Sequence, residues 1–98
     1  MNPATIYHRP LSEFAFATDG THYVFRLRTG KGEARSCRFF YADRAAMAPE
    51  LDFACLPMKK IREDRYFDWY EVRLETKLER IAYWFELSDG AETLCYFG

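Results

Sequence analysis

The sequence lacks the features that would direct a chain to a membrane, a nucleic acid or calcium. No stretch approaches the roughly 18 apolar residues that a membrane-spanning helix requires. The 14 basic and 15 acidic residues leave a formal net charge of -1, so the whole domain has no electrostatic preference for nucleic acid or an anionic membrane. The aspartates follow no calcium-loop pattern. We therefore expect no membrane or nucleic-acid partner, no cofactor and no indicated calcium site.

Cysteine is also scarce and widely spaced. Cys37, Cys55 and Cys95 form neither a CxxC motif nor a Cys/His pair at zinc-ligand spacing. We predict reduced, mostly buried thiols in a cytoplasmic protein and no metal site. The N-terminal stretch "IYHRPLSEFAFA" (6–17) is no secretory signal, because Ser12 and Glu13 interrupt its apolar residues. We interpret it as an edge strand at the true N-terminus.

What the sequence does contain is typical of one small folded domain. It has 98 residues, of which 49% are hydrophobic and 18% aromatic. Disordered chains are poor in aromatic residues, and 98 residues are few for an enzyme with its own cleft. The turn signals Asp19-Gly20, Gly30-Lys31-Gly32 and Asp89-Gly90 each separate apolar runs. Such signals are typical of hairpins, so strands are predicted on both sides of each.

Apolar residues alternate with other residues in four further segments, which predicts half-buried strands. The predicted inward residues are Tyr23, Phe25, Leu27, Cys37, Phe39, Tyr41, Tyr70, Val72, Leu74, Ile81, Tyr83, Phe85 and Leu87, and Leu94 and Tyr96 begin a last strand. Residues 71–85 also fit a helical period, and periodicity alone leaves both readings open. Aromatic and β-branched residues favour strands here, joined by a hairpin through Thr76–Glu79. The alanine-rich stretch 43–51 has room for one helical turn. The fold class predicted is an all-β sandwich or small barrel.

No catalytic constellation is present. The glycines of "TGKGEA" lack the spacing of a phosphate-binding loop, and neither histidine belongs to a nucleophile motif. Trp69 and Trp84 are more informative, because both alternate with predicted core residues. The predicted hairpin would place them on one outer face, with Glu71 and Arg73 beside Trp69. Such a face fits a sugar ring or a protein interface, unless a neighbouring segment covers the indoles.

Five segments, in order, resemble a known domain. They are "IYHRPLSEFAFA" (6–17), "VFRLRTGKGEARSCRFFYAD" (24–43), "LPMKKI" (56–61), "RYFDWYEVRL" (65–74) and "RIAYWFELSDGAETLCYF" (80–97). Together they are similar to the N-terminal domain of neopullulanases, cyclomaltodextrinases and maltogenic amylases. That domain is classed as a starch-binding-type carbohydrate-binding module. The resemblance implies an immunoglobulin-like antiparallel β-sandwich of about seven to eight strands over residues 1–98, excised from a larger glycoside hydrolase.

The resemblance also implies a non-catalytic role. In such enzymes the domain helps to form a homodimer, packs against the partner's catalytic (β/α)8 barrel and narrows the rim of its active site. Small substrates such as cyclodextrins and short maltooligosaccharides are thereby favoured, and weak binding of these sugars by the domain itself is a further expectation. Catalytic residues are expected only in the barrel. The alternative is a stand-alone β-sandwich module that uses Trp69 and Trp84 to bind another protein.

The sequence departs from this family at one loop and one strand. Family members carry an aromatic Gly-Asp-Pro-Tyr-x-Trp type of segment near the partner's active site, whereas this chain has "ADRAAM" at 42–47. Asp43 is kept, and Arg44 and Met47 are the other candidates for contact with the partner's active site. Trp84 stands where the family tends to have a small residue. It is therefore a candidate contact peculiar to this protein.

Overall fold

Two four-stranded antiparallel sheets form the fold. The computed structural model describes residues 3–8, 14–19, 21–43, 53–76 and 81–97. A 3-10 turn at Pro3–Thr5 is followed by eight strands: β1 (Ala15–Ala17), β2 (His22–Gly30), β3 (Ser36–Asp43), β4 (Ala54–Pro57), β5 (Lys59–Glu63), β6 (Phe67–Glu75), β7 (Ile81–Ser88) and β8 (Thr93–Tyr96). The sheet orders are β1-β2-β6-β5 and β4-β3-β7-β8. The predicted all-β sandwich is confirmed.

The core lies between the sheets and is built mainly from the predicted inward residues. Phe39, Phe85, Leu27 and Leu87 are fully buried, and they come from three strands, β2, β3 and β7. The rings of Phe25 and Phe39 meet at 4.6 Å, which joins the two sheets. Because successive side chains of a strand point to opposite faces, the alternation in the sequence correctly predicts most of the residues that line this core.

The predicted hairpin between Leu74 and Ile81 is wrong. Strand β6 pairs with β2 and β5, whereas β7 pairs with β3 and β8. Both sides of β6 are thus occupied, so the chain after Glu75 crosses to the other sheet. Periodicity reports which face of a strand is apolar but not which sheet the strand joins. As a consequence, Trp69 and Trp84 lie on the outer faces of different sheets.

Two of the three turn signals lie in hairpins, and the third connects one sheet to the other. Strands flank each signal as predicted, and β1–β2 and β7–β8 form antiparallel pairs. In the second hairpin Gly90 has a φ of 95°, and the Asp89 carboxylate accepts hydrogen bonds from two backbone amides. The glycines at 30–32 instead connect β2 to β3, which belong to different sheets. Gly32, with a φ of 72°, suits this turn because glycine has no Cβ.

The N-terminal stretch is only partly an edge strand. Ala15–Ala17 forms β1 at the edge of its sheet. Tyr7 makes an isolated bridge to Arg28, and His8 is buried. Residues 9–13 lie outside the described part of the chain, as do 44–52, where a helical turn is predicted. Among the described residues, the predicted edge strand over 6–17 is therefore confirmed only at Ala15–Ala17.

All three cysteines are free, but only Cys37 is buried. Burial raises the pKa of the Cys37 thiol to about 12. Cys55 and Cys95 are exposed because they lie on the outward face of the edge strands β4 and β8. The prediction of mostly buried thiols is therefore wrong for two of the three, since their strands have no neighbour beyond the edge.

Candidate functional site

Four aromatic side chains lie together on the outer face of the β4-β3-β7-β8 sheet. Phe40 of β3 lies opposite Trp84 of β7, Phe97 follows β8, and Phe53 precedes β4. We call Phe40, Trp84, Phe97 and Phe53 the aromatic ridge. Phe97 is 73% exposed and Phe53 is 40% exposed. The ridge is thus an apolar surface that the described residues leave open to solvent.

The rings of the ridge stack on one another. Phe40 and Trp84 have ring centroids 4.1 Å apart and an interplanar angle of 5°. Trp84 and Phe97 are 5.6 Å apart at 27°. Because β3 and β8 flank β7 on opposite sides, both faces of the Trp84 indole are occupied by phenyl rings. The indole presents its edge to a ligand, whereas sugar stacking requires an open face.

An ion pair borders the ridge. Arg38 and Glu86 face each other across β3 and β7, and the Arg38 Nε donates a hydrogen bond of 2.9 Å to the Glu86 Oε1. This hydrogen bond to Glu86 raises the pKa of Arg38. The guanidinium carbon also lies 5.5 Å from the centroid of the Phe40 ring. An apolar centre with paired charges at its rim is the arrangement found in protein interfaces.

Trp69 occupies a more enclosed position on the other sheet. Phe14 stacks on it at 5.5 Å and 29°. The guanidinium carbons of Arg28 and Arg62, from the strands on either side of β6, lie 6.0 Å and 5.1 Å from a Trp69 ring centroid. The indole Nε1 donates to an Asp64 carboxylate oxygen at 3.4 Å. Neighbouring segments thus cover Trp69 in part.

A shallow depression lies beside Trp69. Its volume is about 120 Å³, and it is lined by Phe14, Arg26, Ile61, Arg62 and Trp69. Small-molecule sites usually have volumes of roughly 300–1,000 Å³. The depression is therefore too small to enclose an oligosaccharide.

Glu71 and Arg73 lie on the same outer face as Trp69, as the alternation predicts. The Glu71 carboxylate accepts hydrogen bonds from Arg26 Nε at 2.9 Å and from Arg73 Nε at 3.0 Å. Burial opposes ionisation of Glu71, yet the two arginines outweigh it and lower the pKa of this carboxyl. The Glu71 side chain is 10% exposed and that of Arg73 is 74% exposed. Arg73 is thus the more accessible of these two candidates.

The loop candidates fall largely outside the described residues. Asp43 ends β3, where it lies opposite Ile81 of β7. Arg44 and Met47 are not among the described residues. The structure therefore brings Trp69, Glu71 and Arg73 together on one sheet. Trp84 lies on the other sheet, which also contains the end of β3.

Sequence reasoning missed three members of the ridge, namely Phe40, Phe53 and Phe97. A signal was available for two of them, since Phe40 alternates with the inward Phe39, and Phe97 has the parity of the outward Cys95. For Phe53 no periodic signal exists, because it precedes the four-residue strand β4.

The described residues offer neither a cluster of metal ligands nor a membrane-spanning helix. No group of three His, Cys, Asp or Glu side chains there is arranged to hold a metal ion. Within the same ranges, no helix is long and apolar enough to cross a membrane.

Comparison with known proteins assigns the chain to a family. Residues 1–98 match the α-amylase N-terminal immunoglobulin-like domain. Neopullulanase 2 of Thermoactinomyces vulgaris is 34% identical over 93 residues, which cover 95% of this chain and 16% of that protein. Intracellular maltogenic amylase of Bacillus subtilis is 31% identical over 104 residues, which cover 100% of this chain and 17% of that protein.

A solved structure agrees with this assignment. A cyclomaltodextrinase superposes with a TM-score of 0.84 at 28% identity, covering 98% of this chain and 16% of that one. The chain spans about one sixth of the length of these proteins. The chain therefore belongs to the family of α-amylase N-terminal immunoglobulin-like domains, the non-catalytic domain of α-amylase-family glycoside hydrolases.

Proposed function

We propose that this chain is the accessory domain of an α-glucan-degrading glycoside hydrolase of the neopullulanase or cyclomaltodextrinase type. In the full protein it supports a homodimer, packs against a catalytic (β/α)8 barrel and narrows the barrel's active-site rim. Cyclodextrins and short maltooligosaccharides are the substrates that such a rim admits. The match of residues 1–98 to this domain family supports the proposal, as do the names of its relatives.

The observation that carries the contact role is the covered indole of Trp84. Its faces are stacked against Phe40 and Phe97, so the ridge offers ring edges and the open side of Phe97. Burying a phenylalanine side chain contributes about 1.5–3 kcal/mol, and aromatic residues with a polar rim are typical interface anchors. We therefore assign the ridge to contact with the barrel, and we treat sugar stacking on the ridge as the less favoured role.

A direct titration tests this choice. The chain is titrated with β-cyclodextrin and maltoheptaose while tryptophan fluorescence and backbone amide shifts are recorded. We expect no saturable response at Trp84 up to millimolar ligand, because neither face of the indole is open. Saturable shifts centred on Trp69 or Trp84, abolished by alanine at that position, would instead establish a sugar-binding module.

A chimera tests the contact with the barrel. This chain replaces the matching N-terminal segment of neopullulanase 2 from Thermoactinomyces vulgaris, and the dimer fraction and the ratio of cyclodextrin to starch hydrolysis are measured. We expect Trp84→Ala to lower both quantities. Tyr66→Ala is the matched control, because Tyr66 is an exposed aromatic residue, 66% accessible, that lies outside the ridge. Equal effects of the two variants, or no effect of either, would favour the stand-alone interaction module.

We also propose a cytoplasmic location. The free thiols of Cys37, Cys55 and Cys95 suit a reducing compartment, and one relative is named an intracellular enzyme. Fractionation of the source cells, with immunodetection of this domain, tests the location. Recovery from the culture medium or envelope would contradict it.

A further inference from the structure

Basic side chains gather on the outer face of the β1-β2-β6-β5 sheet. Arg28 and Arg62 lie opposite Trp69, one on each side of β6. Because the side chains of paired residues point to the same side of a sheet, both arginines face outward with the indole. We call the outward basic residues of this sheet the basic face: Arg26, Arg28, Lys59, Arg62 and Arg73. Two carboxylates of the same strands, Glu71 and Glu75, point the same way. The face is therefore positively charged, although the net charge of the whole chain is -1.

The guanidinium of Arg28 is held between aromatic rings without a counter-charge. Its carbon lies 4.1 Å from the ring centroid of Phe67 and 4.9 Å from that of Tyr7. Its Nε is buried and has no hydrogen-bond partner. In the described part of the chain, none of the ion pairs of the basic face includes Arg28. Because a desolvated charge is costly unless an opposite charge pairs with it, this guanidinium suits an anion that comes from outside the chain.

Arg62 brings a second guanidinium to the same indole. The guanidinium carbons of Arg62 and Arg28 lie 5.1 Å and 6.0 Å from a Trp69 ring centroid. The side chain of Arg62 is 64% exposed, and its Nη2 lies 3.5 Å from the Asp64 Oδ2. This separation exceeds the roughly 2.7–2.9 Å of a charge-assisted hydrogen bond. Since a guanidinium has about five N–H donors in one plane, Arg62 retains donors for a further acceptor.

The shallow depression beside Trp69 provides space for a small anion. Its volume of about 120 Å³ corresponds to roughly four water molecules at about 30 Å³ each in the liquid. Arg26 and Arg62 contribute positive charge to its lining, and Ile61 contributes an apolar wall. A single tetrahedral oxyanion fits such a space, whereas a sugar chain does not.

We propose that the basic face binds a phosphate group, as the free ion or as a sugar phosphomonoester, through Arg28 and Arg62 on the two sides of Trp69. A phosphate has oxygens on opposite sides and carries nearly two negative charges, so it can accept hydrogen bonds from two guanidinium groups at once. Arginine is also the residue whose planar donors match phosphate geometry. The site lies on the sheet opposite the aromatic ridge, so it does not depend on the barrel contact proposed for the ridge.

Titration with matched probes tests the site and identifies the source of the phosphate. The arginine Nε–H signals are followed by NMR at about pH 7.5, where a phosphomonoester is almost fully ionised. The probes are inorganic phosphate, glucose 6-phosphate and glucose, with sodium chloride at equal ionic strength as the reference. We expect saturable shifts at Arg28 and Arg62 with both phosphate probes and none with glucose or chloride.

Each other outcome of this titration has a definite meaning. A response to inorganic phosphate alone would support the site and assign the free ion as its ligand. The absence of saturable shifts at millimolar phosphate would overturn the proposal, and so would an equal response to chloride. An equal response to glucose would show that the sugar, rather than the anion, is recognised, and would overturn it as well.

Three charge-removing variants test which residues hold the anion. Arg28→Gln and Arg62→Gln should each weaken phosphate binding at least about tenfold, because each removes charge-assisted hydrogen bonds. Arg73→Gln is the matched control, since Arg73 is a 74% exposed member of the same face and lies farther along β6 from Trp69. We expect it to change the affinity by less than about twofold. Equal weakening by all three variants would indicate diffuse attraction by the whole face and would overturn a site at Trp69.

A conservative variant separates anion binding from packing at Arg28. Because its guanidinium packs against two rings, Arg28→Gln also alters the fold locally. Arg28→Lys keeps the positive charge but loses the planar set of donors. We expect it to weaken phosphate binding while the urea midpoint of unfolding stays close to that of the wild type. Unchanged phosphate binding in both Arg28→Lys and Arg62→Gln would contradict the assigned contacts.

Discussion

The buried histidine His8 is a link between the two sheets whose loss should be measurable. It is 5% exposed. Its Nδ1 donates a hydrogen bond of 2.8 Å to the Arg26 carbonyl of β2, because a carbonyl oxygen can only accept. Its Nε2 therefore accepts the bond of 2.8 Å from the Tyr83 hydroxyl of β7. The ring also lies 4.8 Å from that of Phe85.

We expect His8→Ala to reduce the free energy of unfolding by about 3–4 kcal/mol. Two hydrogen bonds contribute about 1 kcal/mol each, and the lost ring packing adds about 1–2 kcal/mol. Small domains are stable by only about 5–15 kcal/mol, so the variant should unfold at clearly lower denaturant concentration. A loss below about 1 kcal/mol in urea-induced unfolding at pH 7.5 would refute the assigned hydrogen bonds.

The same histidine should make stability depend on pH in a predictable direction. Burial lowers the pKa of His8 below the ordinary histidine value of 6.5. The unfolded chain therefore binds a proton at this site more readily, so stability is complete above pH 6.5 and falls as the pH drops toward the folded pKa. The slope has an upper limit of about 1.4 kcal/mol per pH unit for one proton.

The pKa of His22 shifts in the opposite direction, so its effect on stability must be measured separately from that of His8. The hydrogen bond to Asp19 raises the pKa of exposed His22, so its contribution is present below pH 6.5 and is lost as the pH rises through the folded pKa. Unfolding is measured from pH 5 to 8 for the wild type, His8→Phe and His22→Ala. We expect His8→Phe to lose the decline on the acidic side and His22→Ala to steepen it. Parallel curves for the wild type and His8→Phe would refute the argument.

Three further predictions concern the core, the thiols and a turn. Phe39→Ala should destabilise the domain by about 3–5 kcal/mol in denaturant titrations, because Phe39 is fully buried between the sheets; a loss under 1.5 kcal/mol would contradict this. A thiol reagent should modify Cys55 and Cys95 in the native protein but Cys37 only after unfolding, since burial raises the pKa of Cys37 to about 12. Equal modification rates for all three thiols would contradict the fold. Gly32→Ala should lower the free energy of unfolding by about 1 kcal/mol, because the φ of Gly32 is 72°. An unchanged melting temperature would contradict that backbone conformation.

The two aromatic surfaces illustrate why an exposed tryptophan in a sequence pattern does not specify a ligand. Trp69 and Trp84 both alternate with core residues, yet one is partly covered by Phe14 and two arginines and the other stands between two phenyl rings. Ring orientation depends on side chains of neighbouring strands. Those neighbours become known only when the strand order is known.

The alternation of apolar residues by itself determined the inward faces of the strands. Phe25, Phe39, Val72 and Leu87 are buried as predicted, because a strand has a side-chain period of two regardless of its partners. The ordered segments also indicated the domain family, which the comparisons confirm. Local turn chemistry was likewise sufficient at Asp89-Gly90, where the hairpin is closed by neighbouring residues in the chain.

Only the tertiary structure decided which strands are neighbours. The segment 67–75 could pair with any apolar strand as far as its sequence shows, and it lies between β2 and β5 rather than beside β7. The exposure of Cys55 and Cys95 and the stacking of Trp84 both follow from this order. The physical reason is that periodicity is a property of one strand, whereas pairing and sheet membership depend on contacts between residues far apart in the chain.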